Sequence, residues 1–186
     1  MRANNRRWLI SLAALSVAAV VFSEVRSEAA SAAGLGANVG ATLQQFHRQV
    51  RGTRELVANA AAVLVFPTVI KAGMGIGGEY GEGELLARGR PPERYNTASA
   101  SFGFQLGAQA RSIIIVFMTE QALADFKRVD GWKVGVDGSV ALINVGVGGS
   151  IDTSKVASPI VGFIFDGKGL MYNLTLEGSK ISRMER

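Results

Sequence analysis

Six glycines fall within thirteen residues in the stretch Lys71-Ala-Gly-Met-Gly-Ile-Gly-Gly-Glu-Tyr-Gly-Glu-Gly83. Part of it, Gly73-x-Gly75-x-x-Gly78, has the spacing of a dinucleotide-binding fingerprint. Such a fingerprint must end a strand and begin a helix, because the helix N-terminus holds the pyrophosphate. The residues after Gly78 have no helical period and include further glycines. The stretch therefore predicts a bent strand whose missing side chains admit a neighbouring backbone, and it predicts no nucleotide site.

The residue types that most enzymes need are scarce in this chain. It has 186 residues, 48% of them hydrophobic, with no cysteine and a single histidine, His47. Disulfide frameworks, thiolate metal sites, cysteine nucleophiles and two-histidine metal sites are therefore excluded. The acids Glu79, Glu82 and Glu84 lack the pattern of a calcium loop. We expect one domain with a hydrophobic core, no catalysis, no metal and no cofactor.

The N-terminal residues have the composition of an export signal. Residues 1–7 include three arginines and no acid, and they precede an apolar run at 8–22. Small residues at 30–32 fit a cleavage site. The apolar run is shorter than the roughly 20 residues that cross a membrane as a helix. We predict a signal peptide at 1–32 and a single domain at 33–186, periplasmic or peripherally associated with a membrane. An uncleaved N-terminal anchor is the alternative.

The charge of the chain is mildly basic. Its formal net charge is +5, and residues 1–32 hold four of the 20 basic residues and two of the 15 acidic ones. The remaining surplus permits contact with an anionic surface but does not require nucleic acid. We therefore expect no nucleic-acid partner.

A helical period precedes the glycine-rich stretch. Apolar residues recur at spacings of four, three and four on one face: Val39, Leu43, Phe46 and Val50. Gly52 interrupts this period, and the apolar residues 60–66 are expected to continue the helical region. Pro67 should end it, because proline lacks an N–H and disfavours helical geometry just before it.

Beyond Pro67 the period changes to that of a sheet. Residues 98–109 alternate with period two, and residues 113–118 form an apolar run typical of a buried strand. Thr119 should cap a short helix at 120–129 that buries Leu123 and Phe126. Further strands are expected at 134–136 and 140–147, and a hairpin with its turn at 166–169. The predicted class is α+β: an N-terminal amphipathic helical segment, then a mostly antiparallel, curled, barrel- or sandwich-like sheet with one short internal helix.

Three arginines lie beside the apolar stripe of the predicted helix. Arg48, Arg51 and Arg54 follow one another at intervals of three residues. Such a helix can lie in a membrane interface, with its apolar face in the lipid and its arginines on phosphates. From the pattern alone, an amphipathic helix packed on the sheet is the commoner outcome.

Several blocks of this sequence resemble the SYLF-domain family. They follow the family's order across residues 37–183: Ala61-Ala-Val-Leu-Val-Phe-Pro67, Lys71-Ala-Gly-Met-Gly-Ile-Gly-Gly78, Ser101-Phe-Gly-Phe-Gln-Leu-Gly-Ala-Gln109, Val116-Phe-Met118 and Leu176-Glu-Gly-Ser179. The resemblance implies lipid binding, which eukaryotic members direct to phosphoinositides through an N-terminal amphipathic helix. It also implies a protein-binding alternative, because some fungal and plant members bind actin. Bacterial members are typically exported.

The resemblance and the arginines together favour binding of anionic phospholipid at the cell envelope. The hypothesis places Arg48, Arg51, Arg54 and Lys71 on phosphates and Phe46 on acyl chains. The alternatives are an envelope scaffold with a protein partner, and a carrier of a small apolar ligand inside the sheet. If the arginines are not the lipid site, the other basic and aromatic cluster is the candidate: Lys127, Arg128, Trp132 and Lys133.

Overall fold

The computed structural model describes residues 32–143, 150–152, 156–166, 169–170 and 176–184. The chain divides into two units, Met1–Ala32 and Ala33–Arg186, and the architecture below is that of the second. Its helices are α1 (Ala32–Gln49), α2 (Thr53–Asn59) and α3 (Glu120–Arg128). Its strands are β1 (Ala62–Ala87), β2 (Glu93–Phe117), β3 (Trp132–Lys133), β4 (Ala141–Leu142), β5 (Ile160–Asp166), β6 (Gly169–Leu170) and β7 (Lys180–Arg183).

A long antiparallel hairpin of β1 and β2 organises the sheet. The pairing extends from Ala62 opposite Phe117 to Leu85 opposite Glu93, with register shifts after Phe66 and after Met74. Across the sheet, the strands follow the order β3-β7-β2-β5-β4. In addition, β1 pairs with β2 and β6 pairs with β5. All these pairs are antiparallel except β4 with β5. The predicted α+β class with a curled, mostly antiparallel sheet is confirmed.

The glycine-rich stretch lies inside one continuous strand, as its sequence predicted. Residues 71–83 belong to β1, and no helix begins there. The second half of β1 returns past the first half, so that a Cβ on Gly83 would overlap the carbonyl oxygen of Val65. A Cβ on Gly81 would lie 2.7 Å from a methyl carbon of Val69. Glycine at these positions therefore allows the strand to bend back on itself.

Apolar clusters cover both faces of the sheet. On the inner side of the bend, α3 buries Leu123 and Phe126 against a cluster that includes Phe66, Phe117 and Trp132. On the other face, α1 and α2 pack against apolar residues of β1, β2 and β5: Val63, Val65, Ile114, Val116, Val161, Phe163 and Phe165. The sheet is therefore the middle layer between two helical covers.

Two sequence expectations were wrong in detail. Residues 62–66 do not continue the helical region, because β1 already begins at Ala62. Pro67 lies within this strand at the register shift between Phe66 and Val69, where its missing N–H breaks no regular pair. Val136, expected in a strand, lies in an exposed turn with 76% of its surface accessible. Apolar pairing in a sheet and turn geometry override these local patterns.

Other expectations agree with the structure. The hydroxyl of Thr119 accepts a hydrogen bond from the backbone N–H of Ala122 at 3.2 Å, so it caps α3 as expected. The strands β5 and β6 pair antiparallel, with Asp166 opposite Gly169, as the predicted hairpin requires, and residues 167–168 lie outside the described residues. Residues 144–149 and 171–175, part of the expected strands, lie outside the described residues. No helix of the described part is long and apolar enough to cross a membrane.

Candidate functional site

The junction between α1 and α2 is held by backbone contacts. Gly52 adopts a positive φ of 84°, which glycine accommodates without strain. A Cβ at this position would overlap the carbonyl oxygen of Ile151. The N–H of Ile151 donates to the carbonyl of Arg51 at 2.9 Å. The segment 150–152 therefore fixes the angle at which α2 leaves α1.

A hydrogen-bonded chain of side chains also joins the two helices. The hydroxyl of Thr53 donates its proton to the carbonyl of Val50 at 2.9 Å. It must therefore accept the bond from Nδ1 of His47, also 2.9 Å long, so this ring nitrogen carries a proton. Burial, and then the positive charge of Arg54, hold the pKa of His47 below its ordinary value of 6.5. The ring is therefore neutral at neutral pH.

The three predicted arginines surround this junction and are all exposed. Arg48 lies in the last turn of α1, Arg51 lies between the helices, and Arg54 lies in the first turn of α2. Glu55 is the acidic neighbour in the same turn of α2. The structure therefore brings Arg48, Arg51 and Arg54 to one region of the surface.

A fourth arginine joins this region from a distant part of the sequence. Nη2 of Arg88 donates to the carbonyl of Ala58 at 2.7 Å, and so caps the C-terminal end of α2. Ala58 lies only about 6 Å along the helix axis from Arg54. We call Arg48, Arg51, Arg54 and Arg88 the junction patch. Sequence reasoning missed Arg88 because only the curl of the hairpin brings its turn to α2.

Phe46 does not belong to the exposed surface. Only 1% of its surface is accessible. Its ring lies 4.6 Å from that of Phe163 and 6.1 Å from that of Phe165, measured between ring centroids. The hypothesis that Phe46 contacts acyl chains is therefore not supported by this structure. The stripe packs on the sheet, which is the commoner outcome for such a helix.

Lys71 lies apart from the junction patch. It shares a strand face with Val69, since the register between them is continuous. Val69 belongs to the apolar cluster on the inner side of the bend. The helices α1 and α2 cover the other face. The sheet therefore separates Lys71 from the three arginines, and the structure does not bring the four residues together.

The second predicted cluster is also divided. Trp132 is 1% exposed and packs edge-on against Phe126, so it is a core residue. Lys133 is exposed on β3. Lys127 and Arg128 line a groove at the end of α3. This cluster is therefore a core aromatic residue with exposed basic neighbours.

A buried ion pair lies on the inner side of the bend. Nη2 of Arg111 donates to Oε2 of Glu79, and both side chains are less than 5% exposed. Oε1 of Glu79 and Nε of Arg111 have no hydrogen-bond partner among the described protein atoms. The pair joins distant parts of the hairpin, because Glu79 faces Ser99 whereas Arg111 faces Val69. In the described ranges, no three acidic or histidine side chains are grouped as metal ligands.

Comparisons with known proteins agree with the resemblance found in the sequence. A family model named Ysc84, described as Las17-binding protein actin regulator, matches residues 98–186. This match confirms the resemblance to the SYLF domain. An SH3 domain-containing protein of Schizosaccharomyces pombe is 28% identical over 145 residues, which cover 71% of this chain. The match covers 33% of that relative, so the chain spans about a third of its length.

Proposed function

We propose that this chain, whose residues 98–186 match the SYLF family, is a non-enzymatic module that binds anionic phospholipid at the cell envelope. The observation that carries the proposal is the junction patch. Four arginines, from α1, the junction, α2 and the β1–β2 turn, share one region. Glu55 of α2 is an acidic neighbour, and the exposed Asp152 follows Ile151, whose N–H donates to the carbonyl of Arg51. Guanidinium groups bind phosphate well, because their planar donors match its oxygens.

The buried stripe changes the mode of binding that we propose. Because Phe46 and Val39 are at most 2% exposed, the apolar stripe of α1 faces the sheet and not the acyl region while the helix is docked. Binding is therefore electrostatic adsorption. Each basic residue near an anionic surface contributes about 1 kcal/mol, so the patch gives a useful but salt-sensitive affinity.

Flotation of the protein with liposomes tests the proposal. We expect the protein to float with phosphatidylglycerol vesicles and to stay at the bottom of the gradient with phosphatidylcholine vesicles. Equal flotation with both would show that charge is not what binds. No flotation with either would refute the proposal, provided that circular dichroism shows a folded protein.

A protein-binding module of the envelope is the second candidate. The matching family is described as binding Las17, and the relative from Schizosaccharomyces pombe is named for its SH3 domain. Affinity purification from solubilised envelopes, without cross-linking, distinguishes the two candidates. A single protein partner that survives 1 M salt, together with no vesicle binding, would favour this second function.

The cellular location is part of the proposal. Residues 1–32 have the order of a signal peptide, so the envelope form should begin near Ala33. Mass spectrometry of the envelope fraction tests this location. Intact residues 1–32 on the envelope protein would contradict cleavage and indicate an anchored form.

A further inference from the structure

A groove separate from the junction patch lies at the C-terminal end of α3. Its volume is about 910 Å³, and it opens between α3, the start of β2 and the end of β7. Ligand-binding clefts usually measure about 300–1,000 Å³, so a small molecule or a single lipid chain fits. The groove is formed by described residues throughout.

Two aromatic rings lie beneath the groove. Phe126 and Tyr95 have their ring centroids 5.2 Å apart, and both rings are buried. Val129, which is 39% exposed, and Met184 add apolar surface beside them. Burial, and then the charge of Glu93, raise the pKa of Tyr95 to about 12. The phenol therefore stays neutral and adds no negative charge to the groove.

The groove carries charges of both signs, and the buried acid Glu84 also lines it. Glu93 is recessed, with its side chain 17% exposed, where Lys127 donates to it and Arg183 lies 3.5 Å away. The side chains of Arg128 and Arg183 are 71% and 67% exposed. Asp130 is an exposed acid at the same groove. The pair of Arg128 with Asp125 is exposed and contributes little to stability, so Arg128 can turn towards a ligand at small cost.

We infer that this groove binds one small amphipathic anion. The apolar body of the ligand lies on Pro92, Val129 and Met184, above the buried rings, and its acidic head group lies between Arg128 and Arg183. An alkyl phosphate has this chemistry, as does a free fatty acid. The inference does not depend on the proposed function, because it uses none of the junction-patch residues.

Tryptophan fluorescence reports on the groove directly. The rings of Trp132 and Phe126 meet edge-on with their centroids 5.5 Å apart, so occupancy of the groove should change the environment of Trp132. The other tryptophan of the chain is Trp8. In the full chain carrying Trp8→Phe, we expect dodecyl phosphate to produce a saturable emission change below its micellar concentration. A change that begins only at micelle formation, or no change, would overturn the inference.

Substitutions at the rim test the role of charge. In the Trp8→Phe background, replacing Arg128 and Arg183 together with glutamine should weaken dodecyl phosphate binding by at least about tenfold, because charge-assisted contacts are lost. The matched control, Lys133→Gln with Lys180→Gln, removes the same charge at two exposed residues outside both the groove and the junction patch, and should bind like the parent. Unchanged affinity of the variant with Arg128 and Arg183 replaced would show that no anion site exists. Equal affinity of the parent for dodecyl maltoside and dodecyl phosphate would show the same.

Discussion

Replacement of Phe46 by alanine tests whether α1 is part of the core. The ring is 1% exposed and contacts two phenylalanines of β5, Phe163 and Phe165. Truncation of such a side chain removes its apolar contacts and leaves a cavity, which costs about 3–5 kcal/mol of unfolding free energy. With a urea dependence of about 2 kcal/mol per molar, the midpoint should fall by roughly 1.5–2.5 M.

Urea unfolding followed by far-ultraviolet circular dichroism measures this change. The matched control is Val136→Ala, because Val136 is 76% exposed and its truncation should change stability by less than about 0.5 kcal/mol. If Phe46→Ala unfolds at the same urea concentration as wild type but loses vesicle binding, Phe46 is an interfacial residue. That result would refute the packing of α1 described above.

Three further predictions concern His47, two glycines and the buried ion pair. The pKa of His47 is lower in the folded protein than in the unfolded chain, so the unfolded chain takes up a proton first as the pH falls below 6.5. The free energy of unfolding should therefore decrease below this pH. Urea unfolding at several pH values should show a weaker pH dependence for His47→Gln than for wild type. Gly83→Ala should lower the free energy of unfolding by about 1–3 kcal/mol, because the added Cβ overlaps backbone atoms. Gly40→Ala should stabilise α1 by about 0.5–1 kcal/mol, because its Cβ meets no atom within 4 Å. Thermal unfolding of both variants measures the difference. Glu79→Gln should cost about 3–5 kcal/mol in urea unfolding, because it leaves Arg111 buried without a counter-charge, and an unchanged midpoint would contradict the buried pair.

The sequence predicted the fold well where local pattern and tertiary packing agree. The stripe at Val39 and Phe46 has one apolar face, and the structure buries that face. Thr119 has the capping chemistry that begins α3. The glycines of residues 71–83 exclude a regular helix and suit a bend, and the strand bends there. In each case one local physical requirement has one structural solution.

The sequence predicted poorly where long-range contacts decide. Residues 62–66 are apolar on both faces, because they lie between two cores, and such a run does not distinguish a strand from a buried helix. The same bend that places Arg88 at α2 also separates Lys71 from the arginines. Neither outcome follows from spacing along the chain, since both depend on the three-dimensional path of β1.

Sedimentation with phosphatidylglycerol vesicles measures whether the junction patch binds anionic lipid. The experiment compares the partition coefficient of wild type with that of the variant in which Arg48, Arg51 and Arg54 are replaced by glutamine. We expect the variant to lose roughly 3 kcal/mol of binding free energy, about a hundredfold in partition coefficient, because each arginine contributes about 1 kcal/mol. Wild type should approach the same loss near 1 M salt, where the screening length is about 3 Å. A control replaces two exposed cations outside the patch and the groove, Lys133 and Lys180, and is matched in charge to the double variant of Arg48 and Arg54. Weaker binding of the double variant than of this control would support the junction patch, and equal binding of wild type and all three variants would contradict it.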